Sequence, residues 1–481
     1  MSGKQKEEIT IANVKPILPN VASFLVTEDC NLRCTYCFEK HKKNHMTKEV
    51  ARKGLEFLCD NARQNGDNHF SAMLFGGEPL MMPEIVEEIL KYGLELGDKY
   101  NMQFTASMVT NVTILTEDIK RIIKTYKDRT YLSVQLSVDG IKEIHDKYRL
   151  TAGSGKGSFD MIEKNIPEWK ALFADNMDSL SVHGCSNADT LPYLYENYLF
   201  FREEWDIPRI WFLPIHSETW NKEDVDIYEE QLGKITDYIL DDVKKTGNFQ
   251  EVMNYAPIDR CMNGDVFPHA PCGAGKNFIT ITAEGDLYPC HQIYFNDEHH
   301  VTKIGSLDEG IDELSRKLFL EFDNSDMSCA KLDPECDAYA CYRCIGDNLI
   351  ENGSILSVVD CGGSRCMMSK VERKLQLKVR GELEKMGLIN GRDENMNTGV
   401  GNNPANPDCL CDSRGGGCEL VSPDSTANNN VRMPNDHDCK CGDKNLETAD
   451  NDTLAMALKL ILDKVDTLEK GQEYIIKKTI G

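Results

Sequence analysis

Three thiols lie close together early in the chain, in DCNLRCTYCF, where Cys30, Cys34 and Cys37 follow a C-x3-C-x2-C spacing. A loop of that length can wrap a cubic iron–sulfur cluster and give one thiolate to each of three irons. The fourth iron then stays open to a ligand that offers an amine and a carboxylate. Zinc is the competing reading of the same spacing, with His41 or His45 as the fourth ligand. Further along, LFGGEPL brings Gly76, Gly77 and Glu78, and the paired glycines leave bare backbone that a charged amino acid moiety can approach. SVDGIKEIHDKYR offers Ser137 and Arg149 to a carboxylate, the arginine through a two-pronged fork. Tyr36, inside the cysteine loop, offers a ring on which a base can stack.

Such residues must be carried on strand ends, and the surrounding pattern supplies them. From residue 21 to about 216, short apolar runs alternate with longer amphipathic stretches, which predicts repeated strand and helix units around a parallel sheet. Strands are expected at Val21 to Val26, Phe70 to Phe75, Gln103 to Thr110, Leu132 to Val138, Ser179 to His183 and Ile210 to Ile215. Helices are expected near 46–64, 83–100, 116–128, 158–173, 190–205 and 222–246. Six such units make an α/β fold of the partial (β/α)6 barrel kind, whose chemistry gathers at the carboxyl ends of the strands. Each motif above falls at such an end.

After about residue 255 the chain turns to cysteines, glycines and short apolar runs, among them FITITAEGDLYPC, a hairpin turning at Glu284-Gly285-Asp286. The expected organisation is an N-terminal extension over 1–20, the barrel over 21–250 and a small Cys-rich α+β domain over 255–375. A helix from Ser369 to about Lys385 follows, and 376–451 holds the helix end and a tail rich in Asn, Asp and Gly, expected to be disordered. Residues 452–481 carry an amphipathic helix, with Leu454, Leu458, Ile461, Val465 and Leu468 on one seam, for packing on its own domain or for a homodimer or peptide contact.

The composition narrows the partners. A length of 481 residues predicts about three domains. No segment approaches the ~18 consecutive apolar residues of a membrane span. The start, MSGKQKEEIT, lacks the apolar centre of a secretory signal, so the cytoplasm is the expected compartment. A net charge of −25 repels phosphate backbones and argues against nucleic acid. The 19 cysteines are an odd number, and too sparse for a secreted disulfide scaffold; in a reducing compartment they point to metal or catalysis.

CNLRCTYCF, FGGEP and LSVDGIKEIHDKYR together resemble the radical S-adenosylmethionine (SAM) enzymes, in the branch that carries a SPASM domain, modifies peptides and is related to the anaerobic sulfatase-maturating enzymes. The resemblance implies a [4Fe–4S] cluster on Cys30, Cys34 and Cys37, with SAM on its open iron. It places Gly76, Gly77 and Glu78 at the cofactor's amino group and Ser137 and Arg149 at its carboxylate. Asn111 takes the position of a ribose contact, although TNVTIL stands where relatives often read TNG.

Nine more cysteines, Cys261, Cys272, Cys290, Cys329, Cys336, Cys341, Cys344, Cys361 and Cys366, are similar to the SPASM set, which holds two auxiliary [4Fe–4S] clusters. The carry-over groups Cys272, Cys290 and Cys344 with Cys261, and Cys329, Cys336, Cys341 and Cys361 together, with Cys366 competing with Cys361. Their C-x6-C-x4-C-x2-C grouping departs from the commonest one. Sulfatase maturases carry a basic aspartate after the hairpin's second cysteine, where this chain has His291, so His291 is a candidate base as well as a packing residue. Cys59 and Cys185 stand apart, and Cys409, Cys411, Cys418, Cys439 and Cys441 lie in the tail, free for a further metal site, a substrate contact or neither.

The function this implies is maturation of a ribosomally made, Cys-rich precursor peptide by thioether crosslinking. An external one-electron reductant is then needed, and leader recognition falls to the barrel, the tail or a separate protein. The alternatives are carbon–carbon crosslinking, oxidation of a protein serine or cysteine, and, from another class, a non-catalytic iron–sulfur carrier or zinc scaffold.

Overall fold

The computed structural model describes residues 17–215, 218–248, 273–297, 301–321, 344–352, 355 and 363–389. Its first strand, β1 (Val21–Thr27), is buried along its whole length, as a strand covered on both faces must be. Cluster-loop residues form the short β2 (Leu32–Cys34). The following α1 (Lys48–Asn65) starts where Thr47 accepts the Val50 amide at 3.2 Å and stops at Gly66, whose φ of 83° suits a residue without a Cβ. Between those ends it buries Ala51, Leu55, Leu58 and Ala62, a stripe at helical spacing.

The same unit recurs as β3 (His69–Gly76), α2 (Pro83–Tyr100), β4 (Gln103–Thr110), α3 (Glu117–Tyr126) and β5 (Ser133–Ser137). After β5 come α4 (Lys142–Tyr148), β6 (Arg149–Thr151) and α5 (Phe159–Leu172), then β7 (Leu180–Ser186), α6 (Leu194–Leu199), β8 (Arg209–Pro214) and α7 (Lys222–Thr246). Strands β1, β3, β4, β5, β7 and β8 lie side by side in chain order and all run parallel. Along β5, buried Val134 and Leu136 alternate with half-buried Ser133, Gln135 and Ser137, and the register carries the polar face on to Ser181 and His183 of β7. The sheet therefore keeps one polar face, and the strand ends that face it carry the motifs.

Two features depart from the sequence reading. The hairpin β9 (Phe278–Ile281) and β10 (Asp286–Tyr288) does not stand apart from the barrel: β9 pairs parallel with β1, Val21 opposite Phe278. Its Ile279 and Ile281 are as buried as the strand they join. With β11 (Gly305–Ser306) and β12 (Gly310–Ile311), a single ten-stranded sheet results. The helix expected over 190–205 is instead a 3-10 turn at Leu191–Tyr193, α6, and a wide π turn at Phe200–Glu204 that gathers Phe200, Phe201 and Trp205.

The remaining helices are α8 (His291–Asn296), α9 (Glu313–Glu321), α10 (Ile345–Asn352) and α11 (Ser364–Lys385). The last packs on α7, where Tyr228 donates to Glu372 at 2.7 Å and Lys374 meets Glu229 at 2.7 Å. Among the described residues no helix is long and apolar enough to cross a membrane. Most of the extension over 1–20, the expected tail, its cysteines and the helix over 452–481 lie outside the described residues, as do Cys261, Cys272, Cys329, Cys336, Cys341 and Cys361.

Candidate functional site

The three cysteines sit on a loop held from both sides. On one side β2 pairs antiparallel with β6, setting Cys34 opposite Arg149, and the Thr35 amide bonds to Tyr148 O at 2.9 Å. On the other, the amides of Gly77 and Glu78 donate to Thr27 O at 2.8 Å and Asp29 O at 3.0 Å. The approach is so close that a Cβ on Gly76 or Gly77 would fall 2.1 Å from Thr27 O or Asp29 O. The glycines thus serve the seam between β3 and the cysteine loop. Cys30 is buried, while Cys34 and Cys37 are half-buried.

Burial pushes all three thiols upward: Cys30 strongly, with the Glu78 carboxylate adding to it; Cys34 against the opposing pull of Arg149; and Cys37 to about 12, with Glu39 adding to it. Without metal the loop is a set of neutral thiols, and thiolate formation depends on iron.

Glu78 is completely buried, and its carboxylate is fully engaged. It accepts the Leu80 amide at 3.0 Å, the Thr110 hydroxyl at 2.9 Å and the Asn111 amide at 2.6 Å. Burial raises its pKa to about 7 against those bonds. Its side chain ties the end of β3 to the end of β4. Asn111, just past β4, directs its amide to the cysteine loop, donating to Asn31 at 2.8 Å and to the Cys30 sulfur at 3.5 Å. Val112, the next residue, has a φ of 68° and is fully buried.

Arg149 and Asp139 form a buried ion pair of 2.8 Å. The same Asp139 oxygen accepts the Cys185 amide at 2.8 Å, and the other accepts the Tyr36 hydroxyl. Although burial works against ionisation, the guanidinium holds the Asp139 carboxyl below its ordinary range. Arg149 also lies over the Tyr36 ring, 5.5 Å from its centre, so Tyr36 is anchored at both its hydroxyl and its face. Gly140 makes room for Asn197, whose amide bonds to Asp139 O at 3.3 Å and accepts from Ile141 N at 3.1 Å. Ser137 ends β5 on the polar face, beside His183 of β7.

His291 opens α8 directly after Cys290 and stacks against Phe75 at 4.2 Å between ring centres, with Phe38 and Phe278 further out. Burial lowers its pKa to about 4. Cys290 and Cys344 are brought to the paired helices α8 and α10, where the Cys344 sulfur borders Gly346 alongside Ile293. Cys366 lies in the first turn of α11. Cys59 is a buried core thiol beside Met102.

Asp139, Asn31 and Thr113 were given no role by the sequence reading. Asp139 had a signal: it follows Ser137 by two residues and so shares its side of the strand end. Asn31 and Thr113 had none.

The residues fit a cluster with bound SAM. The Arg149 Nε is buried without a partner, a donor left over after the pair with Asp139. Among the described residues no three His, Cys, Asp or Glu side chains are gathered as a single-ion site.

A sequence profile of the radical SAM superfamily matches residues 24–185, from β1 to Cys185. Residues 24–185 thus carry a radical SAM region, and the chain is similar to anaerobic sulfatase-maturating enzymes and to a bacteriocin biosynthesis protein. A cysteine-type anaerobic sulfatase-maturating enzyme of Clostridium novyi is 29% identical over 325 residues, which is 63% of this chain and 78% of that protein. The subtilosin biosynthesis protein AlbA of Bacillus subtilis is 25% identical over 291 residues, 57% of this chain and about half (55%) of its own length. Among solved structures, native anSMEcpe with bound AdoMet and Kp18Cys peptide superposes with a TM-score of 0.59 at 18% identity, covering 77% of this chain and 100% of that one, a likeness of fold.

Proposed function

We propose that this protein is a radical SAM peptide maturase that joins a cysteine sulfur of a ribosomally made precursor to a carbon of the same peptide. The observation that supports its cofactor chemistry is the Tyr36–Asp139–Arg149 clamp, which presents an unpartnered guanidinium Nε next to the three-thiol loop. With AlbA and the sulfatase maturases among its relatives, a peptide is the substrate class that the family relationship favours.

When bound, the cluster on Cys30, Cys34 and Cys37 and its SAM supply a 5′-deoxyadenosyl radical at the expense of one electron from an external reductant. Arg149 Nε and the Ser137 hydroxyl would hold the carboxylate of the cofactor, and the Tyr36–Asp139 bond keeps the guanidinium from turning away. Gly76 and Gly77 hold the backbone seam that would receive the cofactor's amino group. Phe75 and Phe38 pack on the His291 ring between the cysteine loop and the hairpin. Deprotonation by His291 is disfavoured, since a base works best near the operating pH and this ring is held near 4.

The reaction removes two hydrogens from the peptide. One leaves as an atom from carbon. The other leaves as the thiol's proton, and the accompanying electron needs an acceptor as the C–S bond closes. Auxiliary [4Fe–4S] clusters of a SPASM domain, with Cys290 and Cys344 among their ligands, Cys366 competing with Cys361 for a place, and the other six cysteines of the set outside the described residues, would provide it.

The test is anaerobic reconstitution with iron counting, reductant-dependent 5′-deoxyadenosine formation, and mass spectrometry of a co-expressed cysteine-containing precursor. A loss of two hydrogens with one cysteine closed to alkylation is expected. A loss of two hydrogens with every thiol still alkylated would mean a carbon–carbon bond, conversion of the cysteine itself would mean a sulfatase-maturase activity, and iron without cofactor cleavage would mean a carrier.

A further inference from the structure

Asn111 has no hydrogen-bonding capacity left for a ribose. An asparagine amide offers two donor hydrogens and one oxygen acceptor. Here the oxygen takes the Thr113 amide at 3.1 Å and the Thr113 hydroxyl at 2.6 Å. Because a backbone amide can only donate, this contact fixes which end of the Asn111 side chain is oxygen. Both hydrogens are then directed at the cysteine loop, one to Asn31 Oδ1 at 2.8 Å and one to the Cys30 sulfur at 3.5 Å. Asn31 is itself held by its own bond to the Thr113 hydroxyl at 2.7 Å. The set is anchored from beneath, since the Asn111 backbone amide is bonded to buried Glu78 at 2.6 Å. Cys30 thus receives two N–H groups on its sulfur, from Leu32 at 3.3 Å and from Asn111.

N–H groups on a cluster thiolate favour the reduced state, which carries one more negative charge. We propose that Asn111, oriented by Thr113, is a positioning residue for the cluster: its amide bonds the Cys30 thiolate and raises the cluster's reduction potential, and it does not contact the ribose of SAM. The inference rests on the reading that Cys30, Cys34 and Cys37 hold the cluster.

The test uses the full chain, reconstituted anaerobically as wild type, Asn111→Leu, Thr113→Val and Cys30→Ser. Each is titrated potentiometrically while following the electron paramagnetic resonance signal that responds to added SAM. Asn111→Leu is expected to shift the reduction equilibrium about threefold to tenfold toward the oxidised cluster, tenfold being about 59 mV for one electron. Thr113→Val should shift it the same way by less, because the donor remains and only its orientation is loosened. SAM affinity, measured by equilibrium dialysis, should stay within about twofold in both. An unchanged potential with SAM affinity reduced tenfold or more would overturn the inference in favour of a ribose contact. Should Asn111→Leu fail to retain the cluster, Thr113→Val decides by the same two readouts. A SAM-responsive signal that survives Cys30→Ser would instead overturn the cluster reading itself, separately from any shift at Asn111.

Discussion

Asp139 and Arg149 sit ten positions apart at opposite ends of α4, yet their side chains meet at 2.8 Å with almost no solvent contact. The pair joins two structures that the chain makes separately. Asp139 belongs to the exit of β5, and Arg149 begins β6, the strand that clamps the cysteine loop. Tyr36 and the Cys185 amide also donate to the carboxylate, so the buried charge is bonded on both oxygens. The position of Cys34 relative to the sheet therefore depends on one carboxylate.

Removing that carboxylate leaves a guanidinium buried alone. Asp139→Ala is expected to lower stability by about 3–5 kcal/mol, the cost of an uncompensated buried charge. The double variant Asp139→Ala with Arg149→Met should lose clearly less than the sum of the two single variants. Urea unfolding of the four proteins measures this, and additive losses would show that the two side chains are not coupled.

Gly77 carries a second prediction. A methyl group there would lie 2.1 Å from Asp29 O, a backbone atom that cannot turn aside. Gly77→Ala is expected to cost about 3 kcal/mol, the upper end of overpacking penalties, and to displace Cys30. About four fewer irons per chain after reconstitution should result, since the loop loses its cubic cluster. Full iron content in this variant would mean that the seam does not set the loop.

Much of the scaffold was legible in the sequence because it is periodic. All six parallel strands and α1, α2, α3, α5 and α7 fall within a few residues of their expected places, since a strand buried on both faces and a helix buried on one leave different apolar patterns. The three-residue strands β2 and β6 are too short to carry a period, and they are what clamps the cysteine loop. The pairing of β9 with β1 joins residues more than 250 positions apart, and no local pattern encodes it. At the site, residue types were readable but partners were not. Gly76, Gly77 and Glu78 read as a ligand cradle, but that Glu78 ties β3 to β4 and that the glycines abut the cysteine loop had no signal in the residue types.

Val112 occupies a backbone conformation that a branched side chain rarely adopts, with a φ of 68°. It is held there by the Thr110 hydroxyl, which accepts its amide at 3.1 Å, and by Asn165, which donates to its carbonyl at 2.8 Å. In ordinary backbone, alanine is more stabilising than glycine by about 0.5–1 kcal/mol. The left-handed geometry reverses that order, because any Cβ costs about 1–2 kcal/mol there. Val112→Gly is therefore expected to be more stable than Val112→Ala by about 1 kcal/mol, although both lose a buried side chain. Thermal unfolding of the two variants compares them directly, and a more stable alanine variant would contradict the strained geometry.

His145 links the clamp to pH. The ring is completely buried, accepts the Asp139 amide on Nδ1 at 3.3 Å, and shares a bond of 2.9 Å between Nε2 and the Ser158 hydroxyl, which in turn donates to Arg149 O at 2.8 Å. An imidazole that accepts on Nδ1 has no room for a second proton. Burial lowers its pKa to about 4, with the nearby Arg149 charge acting the same way and Asp139 opposing. The unfolded chain, with histidine near its ordinary 6.5, binds this proton at a higher pH than the folded one. Stability from this residue is thus fully present above pH 6.5 and declines as the pH falls toward 4. Between pH 7.5 and 5.5 the loss amounts to about 1.3 kcal/mol from this single site. His145→Gln keeps a donor and an acceptor in place but cannot titrate. Its unfolding free energy should fall by about 1.3 kcal/mol less than wild type over the same interval, whatever the other histidines contribute. Denaturant unfolding at the two pH values decides it, and parallel pH profiles for the two proteins would mean that His145 already carries its proton in the folded chain.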